Sequence, residues 1–295
     1  MRVSLILATV ERTEVVRRFL ESLAAEARLP VEVIVVDQNP DDRLVRILSR
    51  HGATLEIQHL RSKPGLSHAR NVGVKHAHGD VIAFPDDDCW YPVGLLDKVY
   101  EALGAHPKWD GITGRSIDES GRTAPGSFDM APGRITLESV WTRGISYTIF
   151  LRRSVVERIG DFDEALGLGA GTPFGSGEET DYLIRAIKAG YHVHYLPDLV
   201  VHHPNKIVSF DRHAARNARL YGAGMGRVLR KHAYPWRFQT KALVRPLAES
   251  ILSAAHFRPR RAWYHLNAFA GRLEGLVARG SRLQSVPPAG KARPG

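Results

Sequence analysis

The chain is nearly free of cysteine. Its 295 residues include one, Cys89, so no disulfide can form within the chain. A disulfide-stapled secreted scaffold is excluded and a reducing compartment is expected. Long apolar runs are missing as well: nothing approaches the roughly 18 consecutive apolar residues of a membrane-spanning helix. The opening MRVSLILATVERTE has one Arg and a short apolar stretch before charge resumes; it is too short for a signal peptide and reads as a first buried strand. Negative charge is scarce in one region only. Residues 1–205 carry 23 basic and 28 acidic side chains, whereas residues 206–295 carry 18 and 3. The net charge of +10 is therefore a property of the tail, and such asymmetry points to a polyanionic neighbour, a membrane surface or nucleic acid.

What is present is a chain that is 43% hydrophobic, enough for a substantial core in one large α/β domain or a domain with an appendage. Strand-like and helix-like patterns alternate through the first hundred residues. SLILA (4–8), VEVIVVD (31–37), TLEIQHL (54–60) and DVIAF (80–84) read as strands. Residues 13–27, 41–50, 67–76 and 95–103 have helical spacing. This alternation predicts a mostly parallel central sheet with helices on both faces. Ligands of such sheets bind beyond the carboxyl ends of the strands, so Thr9, Asp37 and the acidic run 86–88 are expected on one rim. Farther along, 116–134 reads as a loop, SYTIFLRR (146–153) as a strand, 179–189 as a helix after a glycine-rich approach, and YHVHYLP (191–197) and LVVHH (199–203) as two strands. The tail reads as helices. Ala214, Ala218, Tyr221, Met225 and Val228 make one apolar stripe opposite Arg212, Arg216, Arg219 and Arg230; a second segment, 242–256, is started or bent by Pro246; a third spans 262–278. After Gly280 periodicity ends and disorder is expected over 281–295.

Four groups of residues are candidates for chemistry. Asp86, Asp87 and Asp88 follow an apolar strand; adjacent carboxylates repel unless a cation lies between them, and hard divalent cations favour oxygen ligands. One of the three is placed to face Mg²⁺ or Mn²⁺ while another faces a sugar hydroxyl; the plain alternative is a solvated turn capping the next helix. Glu178, Glu179 and Asp181 open a helix, where the dipole favours carboxylates in any case and where a general base would also be well placed. His202 and His203 end a strand and point to opposite faces, so at most one is a ligand. Arg70, on the helix of HARNVG, is placed to reach a phosphate or to hold the aspartates.

The succession SLILAT, VVDQNPDD, GLSHARNVGVKHAHGDVIAFPDDDCW, GEETDYLIRAIKAGY and VVHH resembles glycosyltransferase family 2, the inverting sugar-nucleotide transferases of the GT-A fold, over about residues 1–205. The resemblance implies a Rossmann-like α/β domain at 1–205; the charge and helical periodicity of 206–280 make that stretch a basic amphipathic helical appendage. By the same resemblance, Asp37 reads the nucleotide base, Thr9 and Glu11 line that pocket, and Asp86–Asp88 stand as the DXD motif. Asp86 or Asp87 would meet the ribose or metal, and Asp88 the metal that bridges the diphosphate. Glu179 holds the position of the usual aspartate base, with Glu178 and Asp181 as alternatives, and His203 matches the metal-side histidine, with His202 as rival. Mn²⁺ or Mg²⁺ is the implied cofactor. The implied partners are a nucleotide-sugar donor and a glycan or lipid-linked acceptor; the basic amphipathic tail adds the expectation of an anionic membrane surface, at the inner face of the plasma membrane and reached from the cytoplasm.

Two other classes are weighed against this one. A sugar-nucleotide pyrophosphorylase should carry a glycine-rich phosphate loop after the first strand, where this chain reads ATVERTE. A nucleic-acid-binding protein should carry a finger, homeodomain or aromatic RNA platform, and the tail matches none. An inactive GT-A-like nucleotide-binding module is the remaining alternative.

Overall fold

The computed structural model describes residues 1–24, 29–122, 129–204 and 209–278. Its centre is an eight-stranded sheet in the order β3-β2-β1-β4-β7-β5-β8-β6. The strands are β1 (Val3–Thr9), β2 (Val31–Asp37), β3 (Glu56–Arg61), β4 (Val81–Ala83), β5 (Gly111–Ile117), β6 (Gly133–Arg134), β7 (Phe150–Arg152) and β8 (Val193–His202). β1 to β4 are mutually parallel, β7 runs against both β4 and β5, and β8 is parallel to β5. Every residue of β1 is buried, as expected of a parallel strand covered on both faces. Helices α1 (Glu14–Ala24), α2 (Val45–His51), α3 (Leu66–Val74) and α4 (Leu95–Ala105) alternate with the first strands. On α3, Gly73 lies so close to Ile6 of β1 that a methyl group there would overlap its side chain.

The first half thus follows the alternation read from the sequence, with α2 beginning later than expected. The middle departs from it. The segment 146–153 is not one strand: residues 146–148 form a 3₁₀ turn and only Phe150–Arg152 joins the sheet. That turn brings Ser146 and Tyr147 to the rim described below. The two expected strands 191–197 and 199–203 are one, β8. Its register against β5 shifts between Thr113 and Arg115, so Pro197 rides a bulge where its missing N–H costs no ladder bond. Part of the expected loop 116–134 is strand, at the end of β5 and in β6, and residues 123–128 fall outside the described residues. Short helices α5 (Val140–Arg143) and α6 (Arg153–Ile159) precede α7 (Glu178–Lys188).

The tail forms α8 (Arg212–Lys231), α9 (Trp236–Ala255), which carries Pro246 inside it, and α10 (Pro259–Val277). The expected disordered stretch 281–295 lies outside the described residues. The buried face of α8 keeps Ala218 and Val228 of the expected stripe but is shifted: Ala215, Gly222, Ala223 and Gly226 are covered, whereas Tyr221 is exposed. Glycine explains the shift. A methyl group on Gly222 or Gly226 would overlap the backbone of α10, and one on Gly271 or Gly275 the backbone of α8. Two helices seated this closely select the face that bears the smallest side chains, not the most apolar one. α8 also touches the sheet body: Gly224 lies against the Ser176 carbonyl, just before α7.

Candidate active site

Sheet register brings the acidic rim together. Thr9 and Asp37 are direct partners at the ends of β1 and β2, and Ala8 bridges to Asp86 just past β4. The strand order reverses between β2-β1 and β4, the place where open α/β sheets bind ligands.

Asp37 is fully buried. It accepts hydrogen bonds from the backbone N–H and the side-chain amide of Asn39 at 2.8 and 2.7 Å, and its other oxygen lies 3.0 Å from His59 Nε2 and 3.1 Å from Arg61. Asn39 in turn accepts from the Glu11 N–H at 2.6 Å. Glu11 sits at φ +57°, a left-handed conformation uncommon outside glycine, with its side chain exposed. Asn39, which sequence reasoning missed, joins Glu11 to Asp37, and sheet register pairs Thr9 with Asp37.

The three aspartates separate by role. Asp87 accepts from Thr9 Oγ1 at 2.8 Å, and burial pushes its carboxyl up to about 6 against the opposing pull of Arg12. Asp86 accepts from Arg70 and from Ser146 Oγ, both at 3.1 Å. Asp88 lies 3.0 Å from His203 Nε2. Asp86, Asp88 and His203 each present one ligand atom, and these atoms lie within 4.8 Å of one another. Two carboxylates and an imidazole suit a hard to borderline divalent cation, so the residues fit the implied metal. His203 stacks on Tyr147 with ring centroids 4.6 Å apart, and its Nδ1 lies 2.8 Å from the Pro204 carbonyl, which orients the ring. His202 is not in the triad: it stacks on Trp90, over whose ring Arg18 lies at 3.5 Å.

Arg12 was not anticipated from the sequence. Its guanidinium reaches Asp87 and Asp88 at 2.8 Å each, while the side chain remains 43% exposed. It supplies the cation that adjacent carboxylates demand, at the edge of the metal triad. The only signal for it was its position directly after β1, in a segment read for its lack of glycine. If Arg12 competes with a metal for Asp88, Arg12→Ala binds Mn²⁺ alone about tenfold more tightly, the equivalent of roughly 1.4 kcal/mol of displaced charge-assisted bonding. Titration calorimetry without nucleotide measures this; weaker binding would mean that Arg12 supports the carboxylates.

Arg70 connects this cluster to α7. It is 1% exposed, and its two terminal nitrogens reach Asp86 at 3.1 Å and Glu178 at 3.2 Å. The sequence alternative that Arg70 holds the aspartates is the one the contacts match. Glu178 is buried beneath the left-handed Gly167; burial raises its carboxyl and the Arg70 charge opposes that. Glu179 is half-buried on the same helix start, and burial, followed by repulsion from Glu178, pushes it up to about 8. Asp181 lies apart from both. It is fully buried and faces the tail, held by Arg185 at 3.0 Å, Lys231 at 2.8 Å and His232 Nε2 at 2.8 Å.

The mixed sheet carries an acid-and-histidine cluster at its switch point, tied through a buried arginine to paired glutamates. The family model described as glycosyl transferase family 2 matches residues 4–160, and the chain belongs to that family. Glycosyltransferase AglE of Haloferax volcanii is 26% identical over 212 residues, 68% of this chain and 66% of that protein. The uncharacterized glycosyltransferase YwdF of Bacillus subtilis is 29% identical over 104 residues, 35% of this chain and 38% of that protein. The chain thus matches less than two thirds of the length of either relative. Among solved structures, S. aureus TarS 1–349 shares the fold with a TM-score of 0.61 at 16% identity, covering 92% of this chain and 90% of that one. The mannosyltransferase PcManGT from Pyrobaculum calidifontis, in complex with GDP-Man and Mn²⁺, also has a TM-score of 0.61 at 16% identity, covering 94% and 87%.

Proposed function

We propose that the chain transfers a sugar from a nucleoside-diphosphate sugar to a hydroxyl of a glycan or lipid-linked acceptor, inverting the anomeric centre, with residues 1–205 as the transferase domain and 206–280 as an appendage. The observation that carries this reading is Arg70, which joins Asp86 of the metal-ligand triad to Glu178 of the α7 start through one buried guanidinium. Donor-side and acceptor-side chemistry then share one rim.

In this reading Asp37 and its Asn39 brace receive the base, and Thr9 and Glu11 line that pocket. Asp87, held by Thr9, faces the ribose. Asp86, Asp88 and His203 would hold Mn²⁺ or Mg²⁺, which when bound would supply positive charge for the departing diphosphate. Glu179 takes the proton of the acceptor hydroxyl as it attacks. Its raised proton affinity suits a base working near neutral pH. Glu178 with Arg70 fixes the start of α7, so that Glu179 is presented at a constant place. A single displacement with no enzyme-bound sugar inverts the configuration. PcManGT in complex with GDP-Man and Mn²⁺ and TarS in complex with UDP-GlcNAc support a nucleotide-sugar donor. The basic tail supports a lipid-linked or cell-surface glycan acceptor met at the inner face of the plasma membrane.

The test is thermal unfolding with Mn²⁺ and UDP, GDP, dTDP or CDP. A ligand bound only by the folded state at 100 times its Kd stabilises by about 2.7 kcal/mol. One nucleotide is expected to raise Tm only with metal present, and Asp88→Ala is expected to abolish the shift. A folded protein that responds to no nucleotide would instead be an inactive module.

A further inference from the structure

We propose that the hairpin of α9 and α10 is the element that docks on an anionic lipid bilayer, with its turn, residues 256–258, entering the headgroup layer. The idea gains its meaning from the transferase reading above, but it rests on separate observations.

The first is which apolar surface remains uncovered. α8 is taken up by α10 and by the body of the protein. The hairpin, in contrast, presents Val244, Ile251 and Leu252 from α9 and Trp263, Leu266, Leu273 and Val277 from α10 to solvent. On α10 the spacing of three, seven and four residues lines these up on one outward face. Beside the turn, Trp263 and Leu266 join Phe257 and Pro259 in lining an apolar groove of about 590 Å³.

The second is Phe257. The turn closes α9 by a Schellman pattern, with the Phe257 N–H on the Ala254 carbonyl and the Arg258 N–H on Ser253. The residue after the cap then takes the left-handed conformation, where glycine is usual. Here it is Phe257, at φ +53° and 94% exposed. A large apolar side chain stands at a position that disfavours it and touches almost nothing of its own chain. Its burial must come from outside.

The third is charge, which chooses the occupant. All three acidic residues of the tail are engaged within the chain: Asp211 caps α8 through the Ala214 N–H, Glu249 pairs with Arg261, and Glu274 pairs with Arg219. Arg237, Lys241, Arg245, Arg258 and Arg260 on or beside the hairpin therefore meet no compensating acid from the tail. A second copy would oppose these charges to its own, whereas an anionic bilayer neutralises them while burying the apolar face. Gly224 against Ser176, together with the α8–α10 glycine contacts, fixes the hairpin relative to the start of α7. Docking would thus hold Glu179 at a set position over the bilayer, as a lipid-linked acceptor requires.

Co-sedimentation of the full chain with vesicles of phosphatidylglycerol and phosphatidylcholine, against phosphatidylcholine alone, tests the proposal. Binding is expected only with the anionic lipid and should be released by salt. Phe257→Ser with Trp263→Ser, and separately Arg258→Glu with Arg260→Glu, should each weaken it at least about tenfold. These residues are exposed, so circular dichroism should be unchanged, and the metal-dependent nucleotide shift should persist in both variants. Wild-type protein that stays in the supernatant, or variants that sediment as wild type does, would overturn the proposal. So would a concentration-dependent dimer in light scattering that the same substitutions abolish, since the occupant would then be a second copy. None of these outcomes alters nucleotide binding, so failure here is distinct from failure of the transferase reading.

Discussion

Glu179→Gln is expected to leave a folded protein with nucleotide binding intact and kcat lowered by about 10²–10⁴, the usual contribution of a positioned general base. Glutamine preserves the shape of the side chain at the start of α7 and removes only the proton acceptor. Glu178→Gln should behave differently, because Glu178 is the partner of Arg70 and Arg70 holds Asp86. That variant should weaken metal-dependent nucleotide binding as well as turnover. The pH dependence separates the two further. A base acts unprotonated, and Glu179 is pushed up to about 8 by burial and by the neighbouring Glu178. Activity should therefore rise with pH through the neutral range, above the usual carboxylate titration near 4.3. Glu178→Gln removes a negative neighbour, lowers the proton affinity of Glu179 and moves this limb toward acid. Initial rates between pH 5 and 9, with the donor selected by the unfolding experiment, measure both effects. A Glu179→Gln enzyme retaining more than about a tenth of wild-type turnover would transfer the base role to Glu178.

Asp181→Asn is expected to lower stability by about 3–5 kcal/mol, the cost of breaking a buried ion pair by removing one partner. Lys231 keeps Asp163 at 2.7 Å, but His232 and Arg185 lose their carboxylate in the interior. The fall in Tm should reach about 10 °C, given roughly 2–4 °C per kcal/mol for a chain of this size. Because Lys231 and His232 close the end of α8, the loss should loosen the tail from the body before the sheet unfolds. The effect has a pH signature. Burial alone would raise the Asp181 carboxyl; the hydrogen bond from His232 and the charges of Lys231 and Arg185 overcome that and hold it well below the usual range. A depressed value means that the stabilisation is full above about pH 4, where an unfolded aspartate is ionised, and is lost as pH falls through the lower folded value. Wild type and variant should therefore converge in acid. Equal Tm values at pH 7 would show that the cluster contributes nothing net.

Much of this site was legible in the residues themselves, for reasons that are local. A parallel strand is a short apolar run, a helix has a period near 3.6, and the residues just past strand ends in an alternating chain share a rim. That reasoning placed Thr9, Asp37 and Asp86–Asp88 together before any contact was known, and register then made Thr9 and Asp37 direct partners. The alternation of side chains along a strand also showed that His202 and His203 point apart. Which of them joins Asp88 depended on what packs on each face: Trp90 on one side, Tyr147 and the aspartates on the other. Arg12 and Asn39 carried no pattern of their own, because their partners lie 75 and 28 residues away or nearby only through a turn. Asp181 looked equivalent to its neighbours on α7, yet one turn of helix directs it to Lys231 and His232 of a distant helix. The glycines of α8 signal close packing in the sequence, but that Gly222 and Gly226 meet α10 while Gly224 meets Ser176, shifting the buried face off Tyr221, was settled only by the neighbouring backbones. Strand and helix patterns are carried by neighbours along the chain, so the sequence alone determined the layered α/β plan and its acidic rim. The choice among adjacent acids and histidines, and the face that the tail turns outward, belong to partners far apart in the chain and were decided only when the sheet order and the helix contacts brought them together.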